Sequence, residues 1–502
     1  MTGRIPTVAL IAALGLAAWP ALAAPAKKAP AIPPRPEQLA YGPLKFEVPD
    51  AASYRHDLPD GVVAYVVPDH SLPLVKITLL LRTGGYREAP GHPGVAALTA
   101  AMMRQGGTER MTPEEFDQRA DFLAASLSSS ASPTGATVGL DVLSSALDEG
   151  LALLFDMVRR PRFDAARLAV EKGKLLEAMK QRNDDAGDIL DREWDWLMYG
   201  ADHFTSHRLT EAELAAISRQ DLVDFHQRTY GPQKLVLAIS GDVEPETVLA
   251  KIEQGLAGWS AAEPAPWPPE GPRFEPRPGL YHVEKDIPQG KVAIGHRSVQ
   301  WRSFDDPEMY ALMVMNDIYG GSGFTARLMK RVRSDEGLAY GAYSSYDIGF
   351  FWPTAFDITF ASKNETVAFA ASLALEELDR IRNEKVTAEE LAVSKASFID
   401  SFPRSFESPA RVARLFAADE VLGRPHDYWT HFRDRIRAVT AEQVQEAAQK
   451  YLHPDRLVML VVGKWSEIAP GDPQGRAKMA QFFGGAATPL PLRDPLTLEP
   501  RP

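Results

Sequence analysis

Residues 216–241 read AISRQDLVDFHQRTYGPQKLVLAISG, and residues 438–463 read AVTAEQVQEAAQKYLHPDRLVMLVVG. The two stretches align without a gap at one constant offset, with Ala216/Ala438, Pro232/Pro454, Leu235/Leu457, Val236/Val458 and Gly241/Gly463 identical and Ser218/Thr440 matched in kind. Self-similarity at a fixed spacing marks a duplicated unit. Ser218 and Thr440 each read as the N-cap of an amphipathic helix that packs through Leu222 and Phe225, or through Val444 and Ala447. Pro232 or Pro454 is expected to end that element, and a strand rich in β-branched residues follows.

Outward from these stretches, the halves are placed at residues 42–260 and 280–485. Between them lies a linker, 261–279, in which Glu263 to Gly279 holds seven prolines and little periodic pattern, the composition of a semi-rigid spacer. Each half opens on strands, Gly61 to Val67 and Leu74 to Arg82 in the first, Gly279 to Glu284 and Lys291 to His296 in the second. Long amphipathic helices then alternate with further strands, which predicts an α+β fold: two tandem homologous halves, each an antiparallel sheet packed with helices. Residues 486–502 are expected to be a tail.

At the amino end, Arg4 precedes an apolar run from Val8 to Trp19, and Ala21-Leu22-Ala23 offers the small-x-small site that a signal peptidase reads. Residues 1–23 are therefore expected to be a signal peptide, and 24–41 a flexible Ala/Pro/Lys linker with too little apolar surface to fold. The run is too short for a membrane span, so the mature chain is expected to be exported to a bacterial periplasm. The 502 residues, 45% hydrophobic and 24% charged, have the composition of a globular chain of about three or four domains. With 55 Lys and Arg against 67 Asp and Glu, the net charge of −12 argues against nucleic acid as a partner. The absence of cysteine excludes disulfides, thiolate metal ligands and a Cys nucleophile, so any metal site must use His, Asp or Glu.

The run Gly84-Gly85-Tyr86-Arg87-Glu88-Ala89-Pro90-Gly91, followed by Gly94-Val95-Ala96-Ala97-Leu98-Thr99-Ala100-Ala101-Met102, resembles the pitrilysin/insulinase-type zinc peptidases, or inverzincins, particularly the branch that includes mitochondrial processing peptidase. In that family a helix carries H-x-x-E-H, whose two His ligate zinc while the Glu activates the bound water. The resemblance places Ala97 and Ala101 at the His positions and Ala100 at the Glu position. A third ligand, a Glu seven residues after another acid, falls on Ala178, with Glu171 retained as the first acid. Glu177 lies next door, about 100° around a helix. Methyl groups have no lone pair for a metal, so this chain is expected to bind no zinc. His203 and His207, and later His426 and His431, sit in stretches that read as loops, where i, i+4 spacing does not put two side chains on one face.

The second half keeps what the first has lost. Phe324 to Asp335 reads as an amphipathic helix, with Leu328 and Val332 apolar, closed by Gly337 in the left-handed conformation before a strand from Leu338. Ser322 to Leu328, Arg333 and Gly337-Leu338-Ala339-Tyr340 follow the family pattern G-x-x-S-R-L-x-x-x-x-R-x-x-x-G-L-A-Y. By themselves, an Arg on a helix and a Tyr on a strand read as a solvated face and a packing residue. The resemblance implies more: Arg333 and Tyr340 form a pair reaching across a closed, clamshell-like chamber to peptide held near the zinc of the opposing half. A guanidinium fork can hold a carbonyl or carboxylate, and a phenol can donate to a developing oxyanion.

The lost ligands and the kept pair together lead to the expectation of a zinc-free subunit of a periplasmic heterodimeric metallopeptidase, inactive alone. Its partner is a zinc-bearing homologue that supplies the metal, its ligands and the base, and its substrate is a peptide added as a strand to a sheet edge. The alternative is a non-enzymatic interaction or scaffold protein on the same fold. A free-standing peptidase with an unrecognised metal site is a third reading.

Overall fold

The computed structural model describes Arg35 and residues 45–264 and 267–501. The expected signal segment 1–23 and, Arg35 apart, the linker 24–41 lie outside the described residues. The first half contributes β1 (Arg55–Leu58), β2 (Val62–Pro68), β3 (Leu74–Leu81), β4 (Ser126–Ala131), β5 (Ala136–Leu143) and β6 (Val236–Gly241). The second contributes β7 (Gly279–Glu284), β8 (Gln289–Arg297), β9 (Ala339–Tyr346), β10 (Ala355–Lys363), β11 (Val458–Gly463) and β12 (Ala487–Leu490). The helices that matter below are α1 (Val95–Gln105), α2 (Ala165–Lys180), α3 (Ala186–Tyr199), α4 (Arg219–Thr229), α5 (Pro409–Leu422) and α6 (Ala441–Tyr451).

The duplication is visible strand by strand. The sheets run β1-β2-β6-β3-β5-β4 and β12-β7-β11-β8-β10-β9, so five strands of each half occupy equivalent places. The repeated sequence becomes α4 with β6, and α6 with β11. Both helices open on a capping box: the Ser218 hydroxyl accepts from Asp221 N while Asp221 accepts from Ser218 N at 2.7 Å, and Thr440 exchanges the same pair of bonds with Gln443. Leu222, Phe225, Val444 and Ala447 are buried as expected. The helices stop at Thr229 and Tyr451, ahead of the prolines, because the chain must already be extended before it turns into the strand.

Three features depart from the expected plan. The sheets are mixed: β2 runs parallel to β6, and β7 parallel to β11 and β12, the other pairs being antiparallel. A parallel neighbour needs a crossover, and the long excursion between β2 and β6, or β7 and β11, supplies it. The expected tail, 486–502, is also not loose over its described residues, 486–501. β12 adds to the edge of β7, and beyond it Arg493 Nε donates to Glu193 Oε1 at 2.9 Å while the Leu496 carbonyl accepts from Glu211 N at 2.9 Å.

The third departure concerns what covers each sheet. Strands β6 and β11 are buried along nearly their whole length, which requires cover on both faces. One face of the first sheet, Val62, Ala64, Leu237 and Ile239, packs on helices of its own half. Its other face, Val63, Tyr65, Val236 and Ala238, is covered by α5 from the second half through Val412, Ala413 and Phe416. Reciprocally, α3 from the first half lays Ala186, Ile189, Leu190, Trp194 and Met198 on Val283, Ala293, Val458 and Leu460 of the second sheet. The halves are contiguous in sequence and exchanged in space.

Candidate functional site

Gly84 begins the turn that aims α1. Its φ is 137°, and a Cβ there would lie 2.3 Å from the Ser132 carbonyl oxygen, so only glycine fits. Glu88 then folds back on the helix start: its Oε1 accepts from Ala96 N at 2.8 Å, and burial raises its pKa above the usual carboxylate range. Sequence reading assigned Glu88 no role, although an acid just ahead of a helix that opens on Gly94 is the available signal for a cap.

On α1, Ala97 is exposed, Ala101 is half-buried and Ala100 is fully buried. Ala178, near the end of α2, is exposed, and α2 packs beside α1. Glu171 is mostly buried and pairs with Lys174 at 2.6 Å; Glu177 is exposed and pairs with Lys180 at 2.7 Å. No free carboxylate is left at the expected ligand position.

Ala97 lines a hollow of about 550 Å³ that also takes in Glu88, His203, His207 and Glu213. The two histidines lie in an irregular segment, and each is engaged locally. His207 Nε2 sits 3.2 Å from Glu213, itself the third residue of a Thr210 capping box, and His203 Nδ1 lies 2.7 Å from the Thr205 hydroxyl. Burial pulls the His203 pKa down. Among the described residues no three His, Asp or Glu are grouped to hold a metal ion. The residues here do not fit zinc, since the expected ligand positions carry only methyl groups. His426 lies in a turn, as expected, and faces Glu420 at 3.6 Å, whereas His431 departs from the loop reading: it lies on the helix Tyr428–Ala438 and faces Asp427 at 3.5 Å.

The Arg333 segment is wound differently from the expected helix. A 3₁₀ turn, Gly323–Thr325, leads through Arg327 and Leu328 into a π-helix, Met329–Asp335, and β9 begins at Ala339. Gly337, at φ 66°, closes it as expected. Widened helical turns concentrate at functional sites, because they re-aim side chains that an α-helix would stagger. Here the Arg333 guanidinium carbon lies 4.7 Å from the ring centroid of Phe324 and 4.7 Å from that of Tyr340. The rings are 72% and 85% exposed. No ion pair or side-chain hydrogen bond among the described residues engages this guanidinium. The result is a cation held between two exposed rings with its donors unspent. Tyr340 stands on β9, the edge strand of its sheet, and lines a hollow of about 650 Å³ with Tyr343, Lys291 and Lys363.

Comparison with known proteins places the chain beside one peptidase family. Residues 64–207 match the insulinase family (peptidase family M16), and residues 216–398 match the peptidase M16 inactive domain. An uncharacterized zinc protease of Mycobacterium tuberculosis is 28% identical over 316 residues, 62% of this chain and 70% of that protein. Among solved structures, a peptidase M16 inactive domain from Pseudomonas fluorescens superimposes with a TM-score of 0.73 at 26% identity, covering 82% of this chain and 97% of that one. The periplasmic protease PqqL from Escherichia coli shares the fold with a TM-score of 0.69 at 16% identity, over 82% of this chain and 45% of its own.

Proposed function

The chain belongs to the insulinase (M16) family, and on that premise we propose that it is the zinc-free subunit of a periplasmic heterodimeric metallopeptidase. Its partner is a zinc-bearing homologue that supplies the metal, the ligands and the general base. Arg333 holds the backbone of a bound peptide and Tyr340 donates to the oxyanion that develops at the scissile carbonyl. The observation that carries this reading is the contrast within one chain: methyl groups stand at Ala97, Ala100, Ala101 and Ala178, while Arg333 is held between Phe324 and Tyr340 with its donors unspent. A pure scaffold has no use for that exposed stack. Export fits the amino-terminal sequence, and no described helix is long and apolar enough to cross a membrane.

The test is turnover of a fluorogenic peptide by the complex reconstituted from this chain and its zinc-bearing partner. Arg333→Ala should slow cleavage about ten- to a hundredfold, the loss of one charge-assisted hydrogen bond of roughly 1.5–3 kcal/mol. Tyr340→Phe should lower turnover with little change in folding, since the ring stays and only an exposed hydroxyl is lost. Size-exclusion chromatography should show both variants still assembled. Full activity in both would mean that this chain lends no chemistry, and the scaffold reading would replace the one proposed. The purified chain alone should carry far less than one zinc and show no chelator-sensitive peptidase activity. Stoichiometric zinc that is lost, together with activity, on changing His203 or His207 would instead make it a metalloenzyme in its own right.

A further inference from the structure

The face of the first sheet that α5 covers is left open where the sheet runs on to β5 and β4, and a hollow of about 350 Å³ lies there between the strands and the helix. Side chains alternate across a strand, so Thr78 of β3, Thr137 and Gly139 of β5, and Ser126 and Ser128 of β4 share this face. Gly139 pairs in register with Ser128 on one side and with Thr78 on the other, on strands that each lie about 4.8 Å from the next. Having no side chain, it leaves a dent in the floor. A Cβ there would lie 2.6 Å from Ser128 Oγ, so that hydroxyl leans over the glycine. On the opposite wall α5 presents Arg414 together with Ala410 and Ala413, which are too small to close the hollow.

No side-chain hydrogen bond among the described residues engages Ser126, Ser128, Thr78 or Thr137, and the two threonine hydroxyls reach solvent. Arg414 is exposed and makes no ion pair among the described residues, whereas Arg411, one turn earlier, is paired with Glu407 at 3.2 Å. The other charges on the hollow, Lys76 and Asp141, neutralise each other at 3.1 Å. A chain of net charge −12 therefore carries here a local positive excess beside four unengaged hydroxyls. These are the donors that an oxyanion takes up, and a guanidinium fork matches a carboxylate with two parallel bonds. Leu74 and Leu143, exposed register partners, continue the same face beyond Lys76 and Asp141, so the ground next to the donors is apolar. Between them and Gly139, Ser126 and Asp141 offer acceptors of the kind that a peptide's N–H groups use. We propose that this hollow binds the C-terminal carboxylate of a short peptide. Arg414 and the Ser128 and Thr78 hydroxyls hold the carboxylate over Gly139, and the preceding residues lie toward Leu74 and Leu143. Arg333 and Tyr340 belong to the other half, and binding here needs no zinc-bearing partner.

The test is calorimetric titration of the purified chain with acetyl-Leu-Ala-Ala-Ala, with the same peptide amidated at its C terminus, and with inorganic phosphate. The free acid should bind saturably, and the amide about tenfold more weakly because it has lost the charge. Arg414→Gln should weaken the free acid about tenfold as well. Gly139→Ala leaves the charges alone and fills the dent, so it should weaken the free acid by a similar factor. Only the mobile Ser128 hydroxyl has to move for the new methyl group, and thermal unfolding of this variant should stay cooperative. Arg411→Gln, on the same helix but outside the hollow, should bind as the parent chain does. Absence of saturable binding by the free acid up to roughly 10 mM would overturn the proposal. So would equal affinity for the amide, tighter binding of phosphate than of the free acid, or unchanged binding in both Arg414→Gln and Gly139→Ala.

Discussion

At the scale of the residue, charge in a crowded place decides more than hydrophobicity does. Asp357 on β10 lies on the sheet face that α3 of the first half covers, where burial, Asp347 and Asp191 of α3 push its pKa up to about 7. An unfolded Asp titrates near 4, so between about pH 4 and 7 the native chain holds a proton that the unfolded chain has lost. Stability is therefore highest below about pH 4 as far as this group is concerned, and falls as pH rises through 7. Asp357→Asn should raise stability at pH 8 by up to about 4 kcal/mol, and by little at pH 4, as measured by urea unfolding at the two pH values. Equal effects at both would show that Asp357 is ionised throughout. The residue-scale features of the candidate site divide in the same way: the identities of Ala97, Ala100, Ala101 and Ala178 are legible in the sequence, whereas the stacking of Arg333 between Phe324 and Tyr340 depends on a winding that no periodicity announces.

At the scale of the element, the exchanged helices carry the architecture. The Phe416 ring on α5 lies 5.9 Å from that of Tyr65 on β2, and the Tyr65 hydroxyl donates to Glu420 Oε2 at 2.8 Å. Glu420 also accepts from Arg55 Nε at 3.1 Å, so a helix of the second half is bolted to two strands of the first. Phe416→Ala should cost about 3–5 kcal/mol, the effect of deleting a buried ring that the surroundings cannot close over. A loss under 1 kcal/mol in denaturant unfolding would mean that α5 does not hold the sheets together. The repeat helices were legible because caps and apolar spacing are local. The α5 and α3 contacts were not, because an amphipathic helix shows which face it buries and not which sheet it buries it against.

At the scale of the whole molecule, each sheet is finished by the other half, and the segment after β12 returns from the second sheet to contact the first half at Glu193 and Glu211. Residues 46–262 alone would leave Val63, Tyr65, Val236 and Ala238 uncovered, an apolar face that water does not tolerate. That fragment should be insoluble or molten, while the full chain should lose both halves in one transition, read by coincident fluorescence and circular dichroism melts. Two separated transitions would show that the halves are independent domains.

The sequence alone determined the duplication, the strands on either side of it, the family, and the loss of every expected zinc ligand, because each of these rests on residue identity or on spacing within one element. Tertiary structure alone decided that α3 and α5 change partners, that residues 486–501 form a strand and a return contact, and that the Arg333 segment is π-wound. Those outcomes depend on which surfaces remain uncovered once the local elements have formed. Burial energy is nearly blind to the chain order of the groups it brings together, so no local pattern records them.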